Sequence, residues 1–159
     1  MSKRNGWQFL LLASGVPGKV HGSLDPQSLD WLDRQLSQNR DRPTLIALHH
    51  PPFPVNSEWL DGSRLQNSND LFAIIDRYPQ VRLVVFGHIH QECDRLRHNV
   101  QYFGTPSTCV QFKPKSRTFA LDDKSPGFRL LDLRSDGGWT TRVQRVTQAL
   151  QPNLAATGY

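Results

Sequence analysis

Histidines stand at the points where two apolar segments of the chain end. His49 follows the run TLIAL, and His88 and His90 follow the run LVVFG. An imidazole near neutral pH ligates metal ions, transfers protons or donates hydrogen bonds. The first group is followed by Pro51 and Pro52, which prevent the strand from continuing. The pattern therefore predicts a site that binds a metal ion or a phosphate.

The spacing of His88 and His90 suits two metal ions rather than one. Residues two apart in an extended segment point the same way and lie roughly 6–7 Å apart, at about 3.3 Å per residue. Such a span fits two ions about 3.5–4 Å apart. Gly87, directly before the pair, permits a tight turn and a close approach of the backbone to a ligand.

A structural role for these histidines is the competing interpretation. One histidine near a strand end is more often a packed or solvated residue, and an HxH pair alone is weak evidence. Two such groups, each at the end of an apolar strand, favour a metal or phosphate site. No other motif competes, because the sequence has no GxSxG, GxxxxGK[ST], GxGxxG or HExxH.

The elements around the histidines predict an α/β fold. Apolar runs at 6–14, 43–50 and 81–86 are typical of buried strands. One helix is predicted between the first two runs, with Asp25 as N-cap and Pro26 at its first position. The result is a parallel βαβαβ unit, and ligands of such sheets bind beyond the carboxyl ends of the strands.

A second helix and two hairpins complete the predicted architecture. The helix covers 68–79, capped by Ser68 and ended before Pro79. Beyond residue 90 the pattern changes to antiparallel hairpins that turn at His98-Asn99 and at Asp136-Gly137-Gly138. The loop between these hairpins is long enough to be suspected of function. Residues 1–150 are predicted to form the domain, and residues 151–159 a loose tail.

Composition excludes several classes of protein. The chain has 159 residues, 37% hydrophobic and 21% charged, as in an ordinary soluble domain. No apolar run approaches the roughly 18–20 residues that span a bilayer. The net charge of +5 comes from scattered Lys and Arg residues, so no nucleic-acid partner is expected. Only Cys93 and Cys109 occur, which fits a reducing compartment, and we expect a cytoplasmic protein without membrane contact.

Three segments together resemble a known family. HHPP at 49–52, GHIHQE at 87–92 and TPSTCVQFKP at 105–114 resemble the bacterial 3′,5′-cyclic-AMP phosphodiesterases of the calcineurin-like metallophosphoesterase superfamily. The resemblance implies part of a four-layer αββα sandwich. It also implies hydrolysis of cyclic AMP, or another small phosphodiester, by a dinuclear site that holds two divalent metals such as iron or manganese.

The resemblance also implies which residues ligate metal. His49 and His88 correspond to ligands of one metal, and His90 to a ligand of its neighbour. A double histidine can be aligned one place off, so His50 stays open as an alternative to His49. We favour His49 because it stands two residues before Pro51.

The chain departs from the family in what it lacks. It contains no DxH, GDxxD or GNH motif, so the family's carboxylate ligands and catalytic histidine have no counterpart. We therefore expect the C-terminal portion of the domain, at most one bound ion, negligible hydrolysis by the isolated chain, and self-association through an uncovered sheet. The alternative is a non-catalytic fragment that binds a metal or a phosphate through His49, His88 and His90.

Overall fold

The computed structural model describes residues 2–4, 6–147 and 152–158. A six-stranded sheet forms its centre. In chain order its strands are β1 (Ser2–Arg4), β2 (Trp7–Leu11), β3 (Thr44–Leu48), β4 (Val81–Phe86), β5 (Cys93–Arg97) and β6 (Val100–Gly104). The helices are α1 (Pro26–Ser37), α2 (Glu58–Asp61) and α3 (Ser68–Ile75). Four shorter or later strands follow: β7 (Gln111–Phe112), β8 (Leu121–Asp122), β9 (Gly127–Leu133) and β10 (Trp139–Arg145).

The sheet has the spatial order β1-β2-β3-β4-β6-β5. Strands β2, β3, β4 and β6 pair in parallel, while β1 and β5 pair antiparallel at the two edges. α1 connects β2 to β3, and α3 precedes β4, so the predicted parallel βαβαβ unit is confirmed. The carboxyl ends of β3 and β4 consequently lie side by side, with Leu48 paired to Phe86.

Helix α1 begins where the sequence predicted. The side chain of Asp25 accepts a hydrogen bond from the backbone N–H of Ser28 at 2.6 Å, which satisfies one of the exposed donors of the first turn. Pro26 occupies the first helical position. Leu32 and Leu36 are fully buried in the core and anchor the helix.

Helix α3 differs at both ends from its prediction. Asn67, not Ser68, is its N-cap residue, and the Ser68 hydroxyl donates to the Leu65 carbonyl at 2.6 Å. The Asn67 amide instead accepts a hydrogen bond from the backbone N–H of Leu24 and donates one to the Leu24 carbonyl. The helix ends at Ile75, short of the predicted end, because the backbone N–H groups of Arg77 and Tyr78 bond only three residues back, in a tighter turn.

Two apolar clusters cover the two faces of the sheet. On one face the helices pack against residues that include Leu10, Ile46 and Val84. On the other face, β9 and β10 pack Leu131, Leu133 and Trp139 against a cluster formed by Trp7, Leu45, Leu83 and Phe103. The described residues thus form three layers, helices, sheet and hairpin, of the predicted αββα arrangement.

The predicted hairpins are present, and the turn backbone explains the first one. β5 pairs with β6, and β9 pairs with β10, both antiparallel. His98 and Asn99 both have positive φ angles, of 47° and 66°, as a two-residue hairpin turn of this type requires. The suspected loop contains a further ladder, β7 with β8. Neither this ladder nor β1 nor α2 was predicted.

The predicted domain boundary and the prediction of no membrane contact are compared with the described residues in turn. The boundary predicted between residues 150 and 151 lies outside the described residues. None of the helices within the described ranges has the length and apolar character needed to cross a membrane.

Candidate metal site

Three imidazoles converge at the carboxyl edge of the sheet. His49 and His50 directly follow β3, and His88 follows β4 across Gly87. The backbone N–H of Gly87 donates to the His49 carbonyl at 3.1 Å and holds the two strand ends together. One ring nitrogen from each histidine lies within 4.8 Å of the others. Within the part of the chain that the structure describes, the group contains no carboxylate.

His49 and His88 have the separation that a shared cation requires. Nε2 of His49 lies 3.1 Å from Nδ1 of His88. Two imidazole nitrogens at about 2.05 Å from one ion are about 2.9 Å apart in octahedral geometry and about 3.3 Å apart in tetrahedral geometry. The observed distance lies between these values, so the pair fits a divalent cation.

Ser63 fixes the tautomer of His88. The Ser63 hydroxyl donates its only proton to the Leu60 carbonyl at 2.7 Å. It must therefore accept the hydrogen bond that joins it to Nε2 of His88 at 2.8 Å. This places the His88 proton on Nε2 and leaves the lone pair on Nδ1, which faces His49. A partner of this kind on the opposite ring nitrogen is typical of metal-ligating histidines.

His50 has the opposite arrangement. The Ser14 hydroxyl accepts the backbone N–H groups of His49 and His50, both at 3.3 Å, so its own proton points to Nδ1 of His50 at 2.8 Å. A neutral His50 then carries its proton on Nε2, and neither nitrogen offers a lone pair to a cation. In this arrangement His50 packs and hydrogen-bonds beside His49 and His88, and the choice of His49 as the ligand stays a prediction.

The backbone at Gly22 lies directly against His50. A Cβ atom at position 22 would lie 2.4 Å from both Cγ and Nδ1 of the His50 ring, which only glycine avoids. The segment is fixed in turn by hydrogen bonds from the Gly22 N–H to the Arg64 carbonyl and from the Gln66 N–H to the Gly22 carbonyl. Two distant segments therefore hold the imidazole in place.

Burial favours the neutral form of two of these imidazoles, His88 and His50. The pKa of His88 is lowered to about 4, first by burial and then by the positive charges that His50, His49 and His90 would carry. Burial also lowers the pKa of His50, and His49 lowers it further. A histidine must be deprotonated to bind a metal. Near pH 7, His88 is already in that form.

His90 lies apart from the group of three. The prediction that His88 and His90 sit on extended backbone is wrong, since both are left-handed, with φ angles of 64° and 49°. Nδ1 of His90 donates to the Val110 carbonyl at 3.0 Å, and its ring stacks on Phe112 with centroids 4.2 Å apart. This hydrogen bond places the lone pair on Nε2. His90 as a ligand of a second metal stays a prediction.

A cavity of about 410 Å³ opens at the histidine group. Its walls include residues that the sequence gave no reason to select, which come from the loop before α1 and from α2 and the turn after it. Hydroxyl partners such as Ser14 and Ser63 have no local sequence signal. The lining residues are Lys19, Val20, His49, His50, Trp59, Leu60, Ser63 and His88.

Comparisons with known proteins agree with this geometry. The sequence profile of the calcineurin-like phosphoesterase family matches residues 4–92. A 3′,5′-cyclic-nucleotide phosphodiesterase from a Nostoc species is 59% identical over 148 residues, which cover 93% of this chain and 56% of the relative. The 3′,5′-cyclic adenosine monophosphate phosphodiesterase CpdA of Escherichia coli is 44% identical over 154 residues, again 56% of that relative. The chain thus spans about half the length of the curated relatives it matches.

A solved structure shows the same fold. The crystal structure of a dimetal phosphatase from Danio rerio superposes with a TM-score of 0.51 at 20% identity, over 69% of this chain and 35% of that protein. The similarity at this identity concerns the fold alone. Together with the family match and the relatives above, it identifies this chain as a member of the calcineurin-like phosphoesterase family.

Proposed function

We propose that the chain supplies the histidine half of a dinuclear metal centre that hydrolyses the cyclic phosphodiester of 3′,5′-cyclic AMP. The single observation that carries the proposal is the 3.1 Å separation of His49 Nε2 and His88 Nδ1. The substrate follows from the relatives in Nostoc and Escherichia coli, whose names give cyclic nucleotides as substrates.

His49 and His88 hold one cation, and His90 ligates its neighbour. The assignment of His49 rather than His50 is supported by the tautomers, because Nδ1 of His50 accepts the Ser14 proton. Nδ1 of His90 is occupied by the Val110 carbonyl, so Nε2 is its ligand atom. Two divalent cations, when bound, lower the pKa of water and neutralise charge on phosphoryl oxygens. We propose iron or manganese as the native metals and the cytoplasm as the compartment.

The charge of the site limits what this chain does alone. Three imidazoles bring no negative charge, and a second dication next to the first needs carboxylates to offset the repulsion. We therefore propose one bound ion per isolated chain and negligible turnover. Hydrolysis requires further ligands from a segment equivalent to the part of the relatives that lies outside the matched region.

The alternative function is a non-catalytic module that binds one metal ion or a phosphate through His49, His88 and His90. The observation in its favour is the all-imidazole composition of the group formed by His49, His50 and His88. In this case metal binding would be complete without any added segment, and no phosphodiester would be cleaved.

Metal titration combined with reconstitution tests the proposal. Calorimetric titration with zinc or manganese is expected to give one ion per chain, and His88→Ala is expected to abolish it. The region of the Nostoc relative outside the matched 148 residues is then added as a separate polypeptide. Gain of a second ion and of cyclic AMP hydrolysis supports the phosphodiesterase, whereas one ion with no hydrolysis supports the non-catalytic module. Failure to bind any metal ion overturns the phosphodiesterase, and failure to bind phosphate as well overturns the non-catalytic module.

A further inference from the structure

The cavity at the histidine group has an apolar side that the metal ligands do not explain. Its lining includes two apolar side chains, Trp59 and Val20, in contrast to the polar imidazoles. Lys19 adds a cationic group to the lining. Val20 is 76% exposed, so its side chain is accessible to a ligand in the cavity. The volume of about 410 Å³ is within the range of pockets that enclose small organic ligands. A bare phosphate would leave this side of the cavity without contacts.

Trp59 is held rigidly from behind. Its ring makes edge-on contacts with Phe112 and Phe119, at centroid distances of 5.0 Å and 5.1 Å. Its indole N–H is buried and has no hydrogen-bond partner, so the part of the side chain that reaches the cavity is ring carbon. A half-buried indole that is fixed in this way offers a preorganised flat surface.

The same aromatic stack connects this surface to the metal ligands. Phe112 contacts Trp59 on one side and stacks on His90 on the other, with ring planes only 6° apart. The position of the indole is therefore set by the same elements that position the ring of His90. The same cavity is lined by His49 and His88, so a ligand whose phosphate lies at these histidines has space for its remaining atoms beside the indole.

We propose that Trp59 and Val20 form the subsite for the nucleobase, so the cavity selects phosphodiesters that carry a planar heteroaromatic ring. The proposal rests on the proposed function, since it places the phosphate at the histidines. Stacking of a base on an aromatic side chain tolerates any base, because every base has a π face. Trp59 is thus a specificity-determining residue for base-bearing over base-free substrates, and it does not choose among the bases.

A pair of ligands that differ only in the base tests the proposal. Binding of 3′,5′-cyclic AMP and of the base-free methyl riboside 3′,5′-cyclic phosphate is measured by calorimetry on the zinc-loaded chain. Trp59→Leu is expected to weaken cyclic AMP binding about tenfold and to leave the base-free ligand unchanged. Trp59→Phe is expected to retain part of the preference. Trp31→Leu is the matched control, because Trp31 is also partly buried against the core but lies outside this cavity.

Val20→Ser provides an independent variant that cannot unfold the chain, because the side chain is so exposed. It is expected to weaken cyclic AMP binding about two- to fourfold, again without effect on the base-free ligand. Zinc binding with no preference for cyclic AMP in the wild-type chain overturns the base subsite and leaves the metal site standing. Equal losses for both ligands in Trp59→Leu also overturn it, since the indole would then shape the metal site. Absence of zinc binding overturns both proposals.

Discussion

Ser63 accepts a hydrogen bond from His88, although a serine hydroxyl more often donates to an imidazole. The direction is forced, because the Leu60 carbonyl at 2.7 Å takes the only hydroxyl proton. The lone pair of His88 therefore points to His49 instead of toward the protein interior. A residue 25 positions away in sequence thus decides whether this histidine can act as a ligand.

Ser63→Ala is expected to weaken metal binding about 10- to 100-fold, because His88 loses the partner that fixes its tautomer and ring orientation. Calorimetric titration with zinc measures the change. Ser37→Ala is the matched control, since the Ser37 hydroxyl makes the same bond to a carbonyl three residues earlier, at 2.9 Å from the Arg34 oxygen. Equal affinities for the wild type and Ser63→Ala would contradict the role of Ser63.

The two adjacent histidines are expected to differ sharply in metal binding. His49→Ala should abolish it, since one of the two converging nitrogens is lost. His50→Asn should retain most of the affinity, because His50 carries its proton on the nitrogen that does not face Ser14. Cobalt substitution reports the result through the intensity of its visible absorption, which depends on coordination geometry. A larger loss in His50→Asn than in His49→Ala would assign the ligand to His50.

Gly22→Ala is expected to destabilise the chain by about 2 kcal/mol, because the new methyl group would overlap the His50 ring and force it or the backbone to move. Urea unfolding measures the loss. Gly15→Ala is the control on the neighbouring bridge residue, where nothing lies within 4 Å of an added Cβ. Its stability should stay within about 0.5 kcal/mol of wild type. Equal stabilities of the two variants would show that the Gly22 contact is not tight.

Asp76, the C-cap residue of α3, is expected to make the free energy of unfolding depend on pH. The Arg97 guanidinium donates two hydrogen bonds to this carboxylate, one to each oxygen, and lowers its pKa below the ordinary value. A carboxylate whose pKa falls on folding stabilises the native state above about pH 4 and loses that contribution as pH drops through the folded pKa. The pair is partly exposed, so the contribution is at most about 1 kcal/mol.

Asp76→Asn should therefore be less stable than wild type at pH 7 and nearly equal to it at pH 2. Urea unfolding at the two pH values measures both differences. Glu58→Gln serves as the control, because Glu58 pairs with Arg117 where both side chains are highly exposed. It should change stability little at either pH. A gap between wild type and Asp76→Asn that persists at pH 2 would exclude the ion pair as its source.

The convergence of His49 and His88 could be predicted from the sequence because it depends on the topology of the sheet. Three apolar runs separated by helical patterns predict parallel strands, and parallel strands bring their carboxyl ends together. The convergence of His49 and His88 follows from that rule alone. The register is less predictable, because the pairing of β3 with β4 shifts between Thr44 and Leu45 before it reaches the pair of Leu48 with Phe86.

The remaining parts of the site depend on contacts that leave no local pattern. Ser14, Ser63 and Gly22 act on histidines 25 to 36 positions away or lie against them, and nothing in their neighbourhoods marks them. The orientation of His90 depends on a left-handed backbone that histidine rarely adopts, so an extended strand was the natural expectation. Asn67 was missed as the N-cap because its amide binds Leu24 rather than its own helix.

Left-handed backbone at two histidines so close together has a cost that the native sequence tolerates. Each such residue disfavours the folded chain by about 1 kcal/mol relative to glycine, whose φ is unrestricted. Glycine in place of His88 would relieve this backbone cost, but it would also remove the metal ligand and its hydrogen bond to Ser63. Backbone freedom and ligation thus make opposite demands on residue 88, so a variant library at this position has to be assayed for metal affinity as well as for thermostability.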